Sequence, residues 1–127
     1  MCGDSGLAPL YGGIAQTLLH VSSTHPHLNK EKAMTPEKKV KNSCIKIITD
    51  NNAYYFFAPA NGYGRSGIPD IVICHKGKFL AVECKAGYNK TTPLQEREIM
   101  AIHKAGGAAM VVREDTIDML SAWFERN

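Results

Sequence analysis

The 127-residue chain has no apolar run approaching the ~20 residues that a membrane helix needs. Its start has no basic segment ahead of an apolar one, so no secretory leader is expected. Its four cysteines, Cys2, Cys44, Cys74 and Cys84, have no CxxC spacing and no paired rhythm. That argues against a zinc framework and against a disulfide scaffold. Cys74 and Cys84 fall inside apolar runs, where a free thiol behaves as a small hydrophobe. Together these features point to a reducing, cytoplasmic setting with no membrane partner. Internal repeats and low-complexity runs are also lacking.

The length suits one domain with a modest core. Net charge is +3, unevenly spread. Residues 1–33 carry two acids and two bases, residues 34–90 four acids and nine bases, and residues 91–127 six acids and four bases. The basic excess lies in the middle of the chain and is compatible with a phosphate-rich partner. Residues 1–33, rich in Gly, Ser, His and Pro, read as a flexible N-terminal arm, and residues 34–127 as the folded domain. His25 and His27 in the arm lack nearby cysteines or acids and make a poor metal site.

From Thr35 the signals sharpen. "TPEKKVKNSCIKIITDNN" offers Thr35 as N-cap, Pro36 at the first helical position and an apolar stripe through Val40, Cys44, Ile47 and Ile48. "AYYFFAPA" reads as a strand, followed by the Gly-rich loop "NGYGRSGIP". "DIVICHKGKFLAVEC" holds two further strands. "TTPLQEREIMAIHKAGG" is a helix in which Thr92, Pro93 and Gln95 match a capping box; Leu94, Glu98, Ala101, Ile102 and Ala105 form one face. "AAMVVR" is a short strand. A last helix, capped by Asp115, presents Ile117, Leu120, Trp123 and Phe124. The expected order is αβββαβα.

The two middle strands set a register. With Lys76-Gly77 at the tip of a hairpin, His75 faces Lys78, and His75 and Lys76 look toward solvent. Counting outward, Val72 faces Ala81 and Asp70 faces Glu83, with Lys85 on the face of Glu83. Both faces are apolar for most of their length, which predicts a central hairpin covered on both sides. Two opposed carboxylates about 5 Å apart repel by roughly 3 kcal/mol at an effective dielectric near 20. Lys85 offsets part of this and a divalent cation would offset more. The alternative is a frayed hairpin end with solvated charges.

"GIPD", a spacer and "ECK", set in the order β-β-β-α-β after a first helix, resemble the PD-(D/E)xK nuclease superfamily. Within it, "GYGRSGIPDIVI", "VECKAG" and "TTPLQEREIMAIHKAGGAAMVV" resemble the virus-type replication-repair nuclease family, VRR-Nuc. The resemblance runs from about Thr35 to Arg113. It implies an α/β restriction-endonuclease-like αβββαβ core, a mixed central sheet flanked by helices, with the C-terminal helix added. It also implies a bacterial or phage-infected cell, Mg²⁺ or Mn²⁺ as cofactor, no small-molecule cofactor, and DNA as substrate. Asp70 and Glu83, with the main-chain carbonyl of Cys84, would hold the metal. Lys85 would orient the attacking water and contact the scissile phosphate. Gln95 would stand near the metal, and Glu37 would be the acid from the first helix.

Bland readings stand beside these. Glu37 suits a helix N-terminus and Gln95 completes a capping box whether or not either serves a site. Gly62, Gly64 and Gly67 are either turn glycines or points of close approach to a phosphate, with Arg65 as its charge partner. Lys38, Lys39 and Lys41 are either a solvated helix face or a nucleic-acid contact. The leading expectation is a metal-dependent endonuclease, structure-selective on branched DNA such as Holliday junctions. Symmetric cutting of two strands would need a homodimer, and the last helix, with Trp123 and Phe124, either is a candidate interface or packs on its own sheet. The alternatives are a DNA-binding module with little catalysis, and a restriction-type or RNA-directed nuclease of the same fold.

Overall fold

Thr35 and Pro36 start the first helix as their residue types require. The Thr35 hydroxyl accepts from the Lys38 N–H at 3.2 Å, and Pro36 opens α1 (Pro36–Asp50). The computed structural model describes residues 33–59 and 64–127, so all but the last residue of the expected arm, His25 and His27 included, and Gly62 of the loop lie outside the described residues. After α1 come β1 (Tyr54–Phe57), β2 (Ile71–His75), β3 (Lys78–Cys84), α2 (Pro93–Lys104), β4 (Ala108–Val112) and α3 (Ile117–Arg126). Thr35–Asn127 form one compact unit. No helix among the described residues is long and apolar enough to cross a membrane.

The four strands lie side by side in chain order. β1, β2 and β3 are antiparallel, whereas β4 runs parallel to β3 and is reached through α2, the crossover that a parallel pair needs. The sheet is therefore mixed, and with its helices the architecture is α/β and restriction-endonuclease-like. The hairpin register is the expected one: His75 pairs with Lys78, Val72 with Ala81 and Ile71 with Val82. Lys76 and Gly77 at the tip have φ of 52° and 78°, the pair of positive angles that a type I′ turn demands.

Strand alternation sorts the hairpin onto two faces. Ile71, Ile73, Leu80, Val82 and Cys84 face a core closed by Val40, Cys44 and Ile48 of α1 and Leu120, Trp123 and Phe124 of α3. His75 shares the parity of Ile71 and Ile73, so it is buried rather than solvent-facing. Its ring lies 4.9 Å from that of Phe124 and 6.2 Å from that of Trp123. Trp123 and Phe124 thus belong to the chain's own core and are not offered to a second subunit.

The opposite face is only partly covered, contrary to the two-sided expectation. α2 packs along the β3–β4 side, where Gly107 lies close to Phe79 and Ile102. Toward β1, Tyr54, Phe56, Cys74 and Phe79 are exposed. Cys74 is consequently a surface thiol, because its parity puts it on this open half. The expected apolar face of α2 is thin as well: Leu94, Ala101 and Ala105 are exposed, Ile102 is half-buried and Glu98 is the buried member. The last helix begins after Thr116 rather than Asp115, since the Thr116 hydroxyl is taken by the Arg113 N–H at 2.8 Å and closes the turn before it.

Candidate active site

The topology brings one end of every strand together. Phe57 ends β1, Asp70 precedes β2, Cys84 ends β3 with Lys85 just beyond it, and Arg113 follows β4. Asp70 is tied here from both sides. Its carbonyl accepts from the Ala58 N–H at 3.0 Å, and its Oδ2 accepts from the Cys84 N–H at 2.9 Å. Lys85 prolongs the parallel ladder, with its N–H donating to the Val112 carbonyl at 3.0 Å.

Glu83 is only 3 % exposed. Its Oε2 accepts from the Gln95 Nε2 at 3.0 Å and lies 3.7 Å from the Lys85 ammonium. Its Oε1 is buried with no hydrogen-bond partner. Burial, and next the Asp70 charge, push the Glu83 carboxyl up to about 7 despite the opposing pull of Lys85. Glu37 adds to the same push from the first turn of α1. Glu83 therefore feels two other expected site acids, although the three come from a helix, the approach to a strand and a strand end.

Gln95 fulfils both readings at once. Its Oε1 accepts from the Thr92 N–H at 2.9 Å, its N–H donates to the Thr92 hydroxyl at 3.2 Å, and its amide nitrogen reaches Glu83. The capping box holds the amide in the one orientation that leaves its donor for the carboxylate.

A cleft of about 450 Å³ opens at this end of the sheet on the α1 side, lined by Glu37, Lys38, Lys41, Phe57, Asp70 and Cys84 but not by Glu83, Lys85 or Gln95. Lys41 stands over the Phe57 ring, with Nζ 4.3 Å from its centroid. Arg65 is held elsewhere: its guanidinium pairs with the buried Glu98 at 3.2 Å, beside Phe79 and α2. Gly67 has a packing task. Its φ is 86°, and a Cβ there would lie 2.5 Å from the Leu94 carbonyl and 2.8 Å from the Gln95 nitrogen. Only glycine lets this loop rest on the first turn of α2.

Two features, an Arg113–Glu114 clamp and the Phe57 ring, carried no local signal. Glu114 accepts the Gly87 N–H on both carboxylate oxygens at 3.0 Å, and Arg113 donates to the Gly87 carbonyl at 3.1 Å. Backbone amides, its own first and then that of Gly87, hold the Glu114 carboxyl below its ordinary range. Together they clamp the loop that follows Lys85. Phe57 is the other, read in sequence only as part of a strand; its place at the strand end opposite Ile71 puts it beside Asp70.

A divalent cation has donors here that suit it: two carboxylates, one with a buried oxygen that lacks a hydrogen bond, and the main chain of Cys84, a residue of the cleft wall. The Cys84 thiol itself is pushed far up by its hydrogen bond with Cys44 and by burial, so only the main chain of this residue is a candidate ligand. Among the described residues no group of three or more His, Cys, Asp or Glu side chains gathers to hold a metal. Any metal here relies on two carboxylates plus backbone, water and substrate.

No family model matches the chain. It is 40 % identical over 70 residues to a protein of Acyrthosiphon pisum secondary endosymbiont phage 1 named "Putative nuclease p44", covering 54 % of this chain and 69 % of that one. Two solved structures share its fold. A "VRR_NUC domain" superposes with a TM-score of 0.58 at 23 % identity, covering 72 % of this chain and 97 % of its own. A "VRR_NUC domain protein" gives 0.54 at 23 % identity, covering 74 % and 88 %. With the phage relative matched over more than two thirds of its length and the same fold in both structures, the chain belongs to the VRR-Nuc nuclease family.

Proposed function

We propose that this protein is a divalent-metal-dependent endonuclease that hydrolyses DNA phosphodiester bonds at Asp70, Glu83 and Lys85. The observation that carries the reading is the bare, buried Oε1 of Glu83 beside Asp70. A carboxylate oxygen without a partner in a buried place is costly unless something positive binds it. Asp70, Glu83 and the Cys84 carbonyl would hold Mg²⁺ or Mn²⁺. When bound, such an ion lowers the pKa of a water and neutralises charge on the phosphate.

The chain's own residues do the rest. Lys85, 3.7 Å from Glu83, carries a positive charge toward the developing charge on the phosphate and orients the attacking water. Gln95 fixes the Glu83 carboxylate so that its other oxygen stays free for the metal. Glu37 adds negative charge from α1 and favours cation binding. Lys41 and Lys38 line the cleft and take the phosphates on either side of the scissile one. Arg65 and Gly67 act less directly, by bracing the loop before Asp70 against α2.

The substrate we propose is branched DNA such as a four-way junction, cut by a two-fold homodimer that places two sites on two strands. Labelled four-way junction, flap, duplex and single-stranded DNA, incubated with Mg²⁺, Mn²⁺ or EDTA, test it. Metal-dependent cutting with paired symmetric nicks on the junction is expected. Cutting in EDTA would sink the metal reading, flap-only cutting would remove the junction reading, and binding without cutting in any metal would favour a DNA-binding module.

A further inference from the structure

We propose that Phe57 is a stacking platform for one unpaired nucleobase of the substrate, next to the phosphate that is cut. This rests on the nuclease reading above and names what the cleft requires of its DNA.

The geometry is specific. Phe57 is the last residue of β1, and the residue after it, Ala58, is hydrogen-bonded to the Asp70 carbonyl at 3.0 Å. The ring therefore stands one residue from the candidate metal ligand and lines the same cleft. It is 44 % exposed, on the helix-α1 side of the sheet, where its neighbours by parity are core residues. The ring is left open in a charged cleft, with only Tyr55 at its edge and the Lys41 ammonium over its face. Its edge-on contact with Tyr55, centroids 5.7 Å apart, holds it in place.

Lys41 supplies the second part. Its ammonium sits over the ring, where a flat base would lie. A base stack is the stronger of the two contacts, so a base displaces the ammonium from the ring. The displaced charge then falls on the adjoining phosphate. Bases inside a duplex hide their faces in the stack, and only an unpaired or unstacked one can reach a ring at the wall of a cleft. A branch point, a flap base or a bulge provides such a base, whereas continuous duplex does not.

The test uses the full chain and two junctions identical except for one nucleotide beside the cut, either paired or unpaired and replaced by 2-aminopurine. Binding is measured in Ca²⁺ and cleavage in Mg²⁺, for the unaltered protein, Phe57→Leu and Phe57→Trp. Thermal melts verify that each variant is folded. Phe57→Leu keeps apolar bulk without a π face. It is expected to lose about tenfold in affinity for the unpaired junction, and little for the paired one. The unaltered protein and Phe57→Trp should quench 2-aminopurine fluorescence, and Phe57→Leu should not. Equal quenching by Phe57→Leu, or an equal loss on both junctions, would overturn the platform. If no DNA is cut in any metal, the nuclease reading fails while quenching still decides the platform.

Discussion

The side chain of Asp70 reaches across the hairpin to the backbone of Cys84, with Oδ2 2.9 Å from the amide nitrogen. One carboxylate oxygen thus braces β3 at the point where Glu83, Cys84 and Lys85 follow one another, and the same carboxyl presses on that of Glu83. Asp70→Asn separates the two tasks, because its amide oxygen can still accept from Cys84 while the charge is gone. A melting temperature at or above that of the unaltered protein is expected at pH 8, since repulsion with Glu83 is relieved. Cleavage should fall by at least about 100-fold. Thermal melts and initial cleavage rates check both.

Glu83 makes the metal-free protein sensitive to pH. Its carboxyl titrates at about 7 in the folded chain against 4.5 as the ordinary value, so between these pH values the folded state binds more protons than the unfolded one. Stability from this group is full below the unfolded value and falls as pH rises through the folded one, by about 3 kcal/mol across the window. Melts in EDTA at pH 5.5 and pH 8 should show the loss, and Glu83→Gln should remove it. Mn²⁺ should raise the melting temperature more at pH 8, where Glu83 is ionised.

Gln95 can be split between its two partners. Gln95→Glu keeps a residue that completes the capping box but sets a third carboxylate against Glu83. Helix content should hold while cleavage falls by about 10- to 100-fold, a typical cost for disturbing a group that orients a metal ligand. Gln95→Ala should lose the cap as well, with a further destabilisation of about 1 kcal/mol. Circular dichroism melts and rates separate the two.

Gly67→Ala should be severe for one methyl group. The new Cβ meets the backbone of Leu94 and Gln95, and φ at that position is 86°. Strain and overpacking together should cost about 2–4 kcal/mol. Because the clash falls on the turn that carries Gln95, cleavage should drop even at temperatures where the variant is folded. A Tm shift measured beside the rate checks this.

Much of this site was legible in the sequence because it is local. One turn, Lys76-Gly77, sets the register, and strand parity then puts Lys85 with Glu83. The capping box placed Gln95 at the start of its helix and the family resemblance put it near the site; its hydrogen bond to Glu83 came with the fold. Parity says which residues share a face but not which face a helix will cover. That is why His75 was read as solvent-facing although α3 buries it, and why Cys74 was read as buried although its half of the sheet is open. The Arg65–Glu98 pair and the Arg113–Glu114 clamp join residues distant in sequence, and nothing in either segment announces its partner. Phe57 was hidden for a further reason: a phenylalanine in an apolar strand reads as core until the fold shows it lining a charged cleft.

The most direct measurement is the initial rate of cleavage of a labelled four-way junction by Glu83→Gln beside the unaltered protein, in Mg²⁺, with both shown to be folded. Glu83→Gln keeps the size of the side chain and removes the charge that a cation needs. A fall of at least about 100-fold, with the fold intact, is the expected result. An unchanged rate in Glu83→Gln would contradict the assignment of Glu83, and with it the metal site at the end of this hairpin.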